Sequence, residues 1–487
     1  MLKAMVDSMA SFSGIVSCIR TMPNQVDNVY SAVGDKAVNF RSGTVLSLND
    51  RVEFDIDPNG SASAPPMAQN VSVIGKADKQ GIDAAVIALS ESVDLRDNFS
   101  AVDELLAKHR EILACAKNME GALVDCARAL TMAFISGAPI TVRFHNDGDG
   151  STGAMALYLA LGKLQERISF GGRNITWKMH RGISYDEQSS FEDLMHFSQY
   201  ESSGRPIVVI IDFGTSPESE KSINQVKDKE KAQLVWLDHH PPYEGFPQDM
   251  IGFYINPWNF GGNSDFTAGA LACVFATVIN RCDAAALVEA SLVSDYSAYA
   301  DYDDKQAQET ALVLDLLTSG SRSHSMASPT PKTFLDVLGN KKLYSDTMFH
   351  ARNLLDEALE IALQRAKRYK NTFGIGIYVL DFGYIAELGN GYPLPGRFSS
   401  RLQGKLEGIN GGKTLTIVHY GNYISIRESD DIVPKIKVLD LVNELKASSE
   451  YVESGGGHNE AASMRVPRQH TKQVLKLLLS NLGANPD

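Results

Sequence analysis

The sequence predicts an α/β protein built on a parallel sheet, with a small β-barrel before it and a smaller mixed α/β domain after it across a cleft. Three observations carry that reading. Short apolar runs rich in β-branched residues, Ile140-Thr-Val-Arg-Phe-His145, Ile207-Val-Val-Ile-Ile211 and Leu234-Val-Trp-Leu237, alternate with helical stretches, as βαβ units require. Acidic residues and histidines cluster where these runs end. Residues 1–75 instead hold short, nearly alternating segments broken by polar turns.

In chain order, the first segment (1–75) contains Phe12-Ser-Gly-Ile-Val-Ser17, Lys36-Ala-Val-Asn-Phe40 and Arg51-Val-Glu-Phe-Asp-Ile56, with Asp57-Pro-Asn-Gly-Ser61 as a turn. That spacing suits a small barrel. Leu46 to Val71 resembles the closing strands of a cold-shock or OB-type domain, a fold that binds single strands on exposed aromatics. Tyr30 and Phe40 are the stacking candidates, and a partner-docking or structural role stays open beside nucleic-acid binding. Residues 76–135 read as a helical connector, since Ala101–His109 and Leu123–Leu130 carry apolar residues at i, i+3, i+4. Strands and helices alternate over 136–317. Thr318–Thr333 is Ser-, Gly- and Pro-rich and reads as a hinge, followed by a helix from about Ser345, together 318–372. Residues 373–487 form the second mixed α/β domain.

Composition narrows the function. No apolar run approaches the roughly 18–20 residues of a membrane span. The start, Met1-Leu-Lys-Ala, lacks the apolar core of a secretory signal. The five cysteines are scattered without a Cys-x-x-Cys, so they read as reduced core residues of a cytoplasmic protein. A net charge of −13 argues against a broad basic surface tracking long duplex, yet says nothing against short oligonucleotides.

The chemistry lies at the strand ends. Gly148-Asp-Gly150-Ser-Thr-Gly153 matches the dinucleotide fingerprint in form, but Asp147 and Asp149 would set two negative charges beside a pyrophosphate. The ribose-binding acid expected about 20 residues on is missing as well. Cations between the carboxylates make better sense of the loop, with its glycines allowing close backbone approach. Helix capping by Asp149 or Ser151 is the alternative use of the same residues. Asp212 brings another carboxylate to the rim where buried strands emerge. Asp238-His239-His240 offers one imidazole to a metal and the next to a phosphate, with the carboxylate behind as an orienter.

Taken in order, His145-x-Asp-x-Asp-Gly150, Asp212, Asp238-His-His240 and Asp295 in Ser291-Leu-Val-Ser-Asp295 resemble the four motifs of DHH-family phosphoesterases. Gly455-Gly-Gly-His458-Asn-Glu-Ala-Ala462 resembles the signature of the DHH-associated C-terminal domain. Ile255-Asn-Pro-Trp-Asn-Phe-Gly261, followed by Thr267-Ala-Gly-Ala270, is similar to archaeal RecJ-like single-strand nucleases. The resemblance implies a catalytic domain over 136–317 and a substrate-binding domain over 373–487. It implies two divalent ions, Mn²⁺ preferred and Mg²⁺ possible. Asp212 would bridge them, His145 and Asp147 would hold one, and Asp149, His239 and Asp295 the other. His240 would contact the scissile phosphate, and Gly455, Gly456, Gly457, His458, Arg397 and Arg427 would bind substrate. Asn146 and Ser463 depart from the family pattern without removing a ligand.

The activity so implied is an exonuclease on single-stranded DNA or RNA. Two further readings stand beside it: a cyclic-dinucleotide or short-oligonucleotide phosphodiesterase, and a scaffold docking a GINS-type partner in an archaeal replication complex. Polarity, sugar preference and oligomeric state are not written in the sequence.

Overall fold

The computed structural model describes residues 9–21, 28–57, 65–170, 172, 174–228, 232–319, 328–371, 374–389, 391–429, 431–432, 436–457 and 460–486. The chain forms two compact units, Met1–Ala311 with Ser328–Val337, and Leu312–Ala327 with Leu338–Asp487.

The first unit opens with β1 (Ala10–Arg20), β2 (Asn28–Gly34), β3 (Ala37–Ser42), β4 (Asp50–Ile56) and β5 (Gln69–Lys76), in the sheet order β5-β4-β1-β2-β3. The alternation read in β4 is met: Val52, Phe54 and Ile56 are buried while Arg51 and Glu53 face solvent. Arg41 N–H donates to Pro66 O at 2.8 Å and Ala68 N–H to Arg41 O at 2.9 Å, joining β3 to the segment that enters β5. Tyr30 and Phe40, read from sequence as stacking faces, are core residues at 1% and 0% exposure. Phe40 packs on Tyr30 and Phe54 with ring centroids 5.7 and 4.2 Å away. Helices Lys79–Glu91 and Glu120–Ser136 pack over β2, so both of its faces are covered.

The helices of the 76–135 connector lie within the first compact unit. The helices Leu95–Phe99, Val102–Leu105 and Glu120–Ser136 pack on the helix Ala268–Ile279, and Asn98 Nδ2 donates to the Val278 and Ile279 carbonyls at 3.1 and 3.2 Å. The first sheet also takes up β7 (Ser169–Phe170) beside β3, and β9 (Tyr200–Ser202) beside β1.

The central sheet comprises β6 (Ile140–His145), β8 (Ile175–His180), β10 (Ile207–Ile211), β11 (Gln233–Leu237) and β12 (Phe253–Ile255). Its order is β8-β6-β10-β11-β12 and every pairing is parallel. Ile211 stands beside Phe144 on one flank and Leu237 on the other, so the next residues, His145, Asp212 and Asp238, leave the sheet on one rim. Every residue of β10 is buried, as a central parallel strand with covered faces requires. The all-buried helix Ala268–Ile279 packs on the helix Gly148–Ile168, and Gly153 permits the approach, because a Cβ there would lie 2.8 Å from Ala272 Cβ.

The second unit is a mixed sheet of β13 (Lys367–Lys370), β14 (Gly376–Asp381), β15 (Thr414–Tyr420), β16 (Tyr423–Glu428), β17 (Ser454–Gly457), β18 (Ala461–Arg465) and β19 (Asn485–Pro486). Its order is β17-β18-β16-β15-β14-β13-β19, parallel only between β14 and β15. Among the described residues no helix is long and apolar enough to cross a membrane.

Candidate metal centre

The rim of the central sheet gathers the predicted residues. Asp147 caps the helix Gly148–Ile168, its Oδ1 accepting from Gly150 N–H at 2.9 Å, while its Oδ2 lies 2.9 Å from His145 Nδ1. The cap is therefore Asp147, not Asp149 or Ser151, and its carboxylate occupies an amide that a nucleotide pyrophosphate would need. Gly150 serves the turn itself: a Cβ there would meet the His145 carbonyl oxygen at 2.6 Å.

Asp149 points the other way, fully buried, into the start of the helix Ala268–Ile279. Its oxygens accept from Ala268 N–H at 3.0 Å, Gly269 N–H at 2.9 Å and Ser291 Oγ at 2.5 Å. The helix terminus thus stabilises a carboxylate, and Gly269 admits it closely, since a Cβ there would lie 2.7 Å from Asp149 Oδ1.

Asp212 sits between these groups in a left-handed backbone, φ +67°. Its Oδ2 is 3.5 Å from His145 Nδ1 and its Oδ1 is 3.4 Å from His239 Nε2. His239 Nδ1 lies 2.6 Å from the Ser264 carbonyl, which can only accept, so that nitrogen carries a proton. His239 Nε2 then faces Asp212 and, at 3.6 Å, Asp295 Oδ2. His240 is held separately, its Nδ1 2.8 Å from Asp238 Oδ1. Asp238, fully buried, also accepts from His239 N–H at 2.9 Å and from Thr215 Oγ1.

The electrostatics follow from this crowding. Burial, then the Asp212, Asp295 and Asp147 carboxylates, push Asp149 well above the ordinary carboxylate range. Burial works against a charged His239, but Asp295, Asp212 and Asp149 outweigh it and hold the imidazole well above its usual value. His145 is raised in the same way by Asp147 and Asp212 against its burial. Asp238 falls far below the ordinary range despite burial, because His240 beside it favours the anion.

Three sets of donor atoms stand close enough to hold an ion: His145, Asp147 and Asp212; Asp149, His239 and Asp295; and Asp212, Asp238, His239 and His240. Among the described residues, Asp212 Oδ2 is buried without a hydrogen-bond donor. An orphaned carboxylate oxygen among imidazoles and further carboxylates fits a divalent cation of the Mn²⁺ or Zn²⁺ type, for which mixed N,O donor sets are suited. Ser291 and Thr267, whose hydroxyls lie 2.5 Å apart, support Asp149 from behind. Ser291→Ala should weaken divalent-metal affinity by about 10–100-fold, the usual cost of losing such a partner. Titration calorimetry with Mn²⁺ reads the loss, and unchanged affinity would deny the hydroxyl that role.

The candidates in the second unit are placed as follows. Arg427 Nε lies 3.3 Å from Ser399 Oγ, and a terminal guanidinium nitrogen 3.4 Å from Gly396 O. Gly455 and Gly457 pack so closely in the β17–β18 hairpin that a Cβ would meet Val442 at 2.6 Å and Ala461 O at 2.4 Å. Gly456 alone of the three is open on its Cβ side. His458 and the Arg397 side chain lie outside the described residues.

Sequence reasoning missed the Ser264 carbonyl, Thr215, Thr267 and Ser291. A carbonyl leaves no mark in a sequence. Ser291 does carry a signal, one helical turn before Asp295 on the helix Ala285–Ser294.

No family model matches the chain. A stretch of 175 residues is 28% identical to part of an uncharacterized protein of Methanocaldococcus jannaschii, over 32% of this chain and 22% of that protein, so the match spans about a fifth of the relative's length. A solved DHH domain, described as a member of the s1p family of ribosomal proteins, superposes with a TM-score of 0.64 at 21% identity, covering 76% of this chain and 92% of that one. RecJ from Thermus thermophilus in complex with Mn²⁺ superposes with a TM-score of 0.48 at 13% identity, over 74% of this chain and 54% of that one. In fold, the chain resembles the DHH-domain proteins.

Proposed function

We propose that this chain is a divalent-metal-dependent phosphodiesterase acting at the ends of single-stranded nucleic acid. One observation carries the reading: Asp212 turns one carboxylate oxygen toward His145 and the other toward His239, between two separate carboxylate–imidazole groups. Asp212, His145 and Asp147 would hold one cation, and Asp149, His239 and Asp295 a second. Bound cations supply a water nucleophile near neutral pH and offset charge building on the phosphate.

The chain's own groups do the rest. The Ser264 carbonyl fixes the His239 tautomer and aims Nε2 at the ligand cluster. Asp238 keeps His240 oriented through Nδ1 and raises its basicity against the cost of burial. The raised basicity favours the charged imidazole, whose Nε2–H is the donor that would face a phosphate oxygen. Arg397, Arg427, the Gly455–Gly457 backbone and His458 are proposed as further substrate contacts. The N-terminal strands are proposed to form an OB-type barrel, a reading supported by the Arg41 bonds to Pro66 and Ala68. With Tyr30 and Phe40 buried, that barrel has no stacking surface at those two rings.

The net charge of −13 favours a second substrate reading, a dinucleotide or very short oligonucleotide in place of a long strand. Product analysis on end-labelled DNA and RNA strands and on a dinucleotide, with Mn²⁺ present, separates the two. Release of mononucleotides from long strands is the expected result. No metal-dependent product from any of them would refute the hydrolase, and absent Mn²⁺ binding would leave a scaffold, such as one docking a GINS-type partner.

A further inference from the structure

We propose that Trp258 is a nucleobase platform, receiving on its exposed indole face the base of the nucleotide whose phosphate is held beside His239 and His240. The proposal rests on the phosphodiesterase reading and names a substrate contact within it.

Three tryptophans occur in the chain. Trp236 is fully buried, and Trp177 is partly covered and packs edge-on against Tyr158 with centroids 5.6 Å apart. Trp258 is different, at 45% exposure on the rim that carries the ligands. A solvent-facing tryptophan gains little from folding, yet this one is firmly fixed. Its Nε1–H donates to the His239 carbonyl at 3.2 Å and to Ser264 Oγ at 3.1 Å. Ser264 Oγ donates in turn to the same carbonyl at 2.8 Å.

The turn beneath the ring is also built. Asn256, fully buried, accepts from Trp258 N–H at 3.1 Å and donates to the His240 carbonyl at 2.9 Å and to Tyr254 Oη at 2.8 Å. Pro257 starts the turn and Gly261, at φ +79°, ends it. The single turn Pro257–Phe260 is thereby bonded to the backbone of both histidines. The indole's one polar atom is thus engaged by the His239 carbonyl and Ser264, while close to half of the residue's surface stays exposed.

A locked aromatic with a free π surface gives stacking affinity at little entropic cost. It also attracts a nucleotide without positive charge, which matters where carboxylates dominate and would repel a polyanion. Tyr296 adds a second exposed ring at 41%, peptide-bonded to Asp295 and held at φ +56°.

The test uses the full chain with Ca²⁺ replacing Mn²⁺ to slow turnover, and a single-stranded DNA pentamer as probe. Intrinsic fluorescence should fall on adding the pentamer, and the fall should vanish in Trp258→Phe. Trp258→Ala should bind the pentamer about ten-fold more weakly, whereas a pentamer with abasic terminal residues should bind the wild type and this variant alike. A fall of equal size in Trp258→Phe, or equal losses for base-bearing and abasic strands, overturns the platform. Should the alanine variant not fold, the wild type alone decides: equal affinity for the two strands also overturns it. A fluorescence fall without Mn²⁺-dependent hydrolysis keeps the platform and removes the hydrolase; hydrolysis without base discrimination does the reverse.

Discussion

Asp212→Asn should abolish divalent-metal binding and phosphodiester hydrolysis together while leaving the fold intact. The side chain provides an oxygen toward each imidazole, and among the described residues its Oδ2 is buried with no hydrogen-bond donor, a need that a cation would meet. Losing it removes a contact shared by both candidate ion sites. Activity should therefore drop at least about a thousand-fold, beyond the 10–100-fold cost of an outer partner. The backbone provides an internal control. At φ +67° a non-glycine residue is strained, but Asn tolerates this region almost as readily as Asp. Asp212→Ala should lose the same activity and in addition about 1–2 kcal/mol of stability. Denaturant melts in chelator read the second effect, and single-strand hydrolysis with Mn²⁺ the first. Appreciable turnover by Asp212→Asn in a contaminant-free preparation would remove Asp212 from the centre.

How much of this was legible in the sequence depends on where each residue sits. Asp147, Asp212 and Asp238 could be found because they follow apolar runs that had to be parallel strands, and such strands end on one rim. His239 and His240 came with them by adjacency. Asp295 follows a helix, so only its resemblance to a family motif marked it. The role of Thr267 left no mark, and that of Ser291 only its spacing from Asp295, because their hydroxyls matter only once two buried helices bring them to Asp149. Tyr30 and Phe40 were misread for a related reason. Alternation puts a ring on one face of a strand but does not say that this face points inward, and both rings turn into the N-terminal sheet's own core with Leu46, Val52 and Phe54.

Stabilisation by a divalent cation should grow as pH rises from about 6.5 to 8.5. Metal-free, His145 and His239 have folded pKa values raised above the unfolded 6.5, and Asp149 is raised above 3.8. A group raised on folding contributes stability that is complete below its unfolded pKa and is lost as pH climbs through its folded one. The two imidazoles thus make the chelated protein progressively less stable as pH climbs above 6.5. His180, lowered by burial to about 4, acts oppositely, but its gain is complete near 6.5. Asp238, held low, is ionised throughout in both states. A bound cation replaces those protons, because imidazole must be neutral and carboxylate charged to ligate. The difference in stability between Mn²⁺-loaded and chelated protein should then widen by about 1.4 kcal/mol per pH unit for each proton released. Other titrating groups, Glu428 at about 7 among them, cancel in that difference. Paired thermal melts in EDTA and in Mn²⁺ at several pH values measure it. A gap that stays flat or narrows would mean that the imidazoles do not bind the ion.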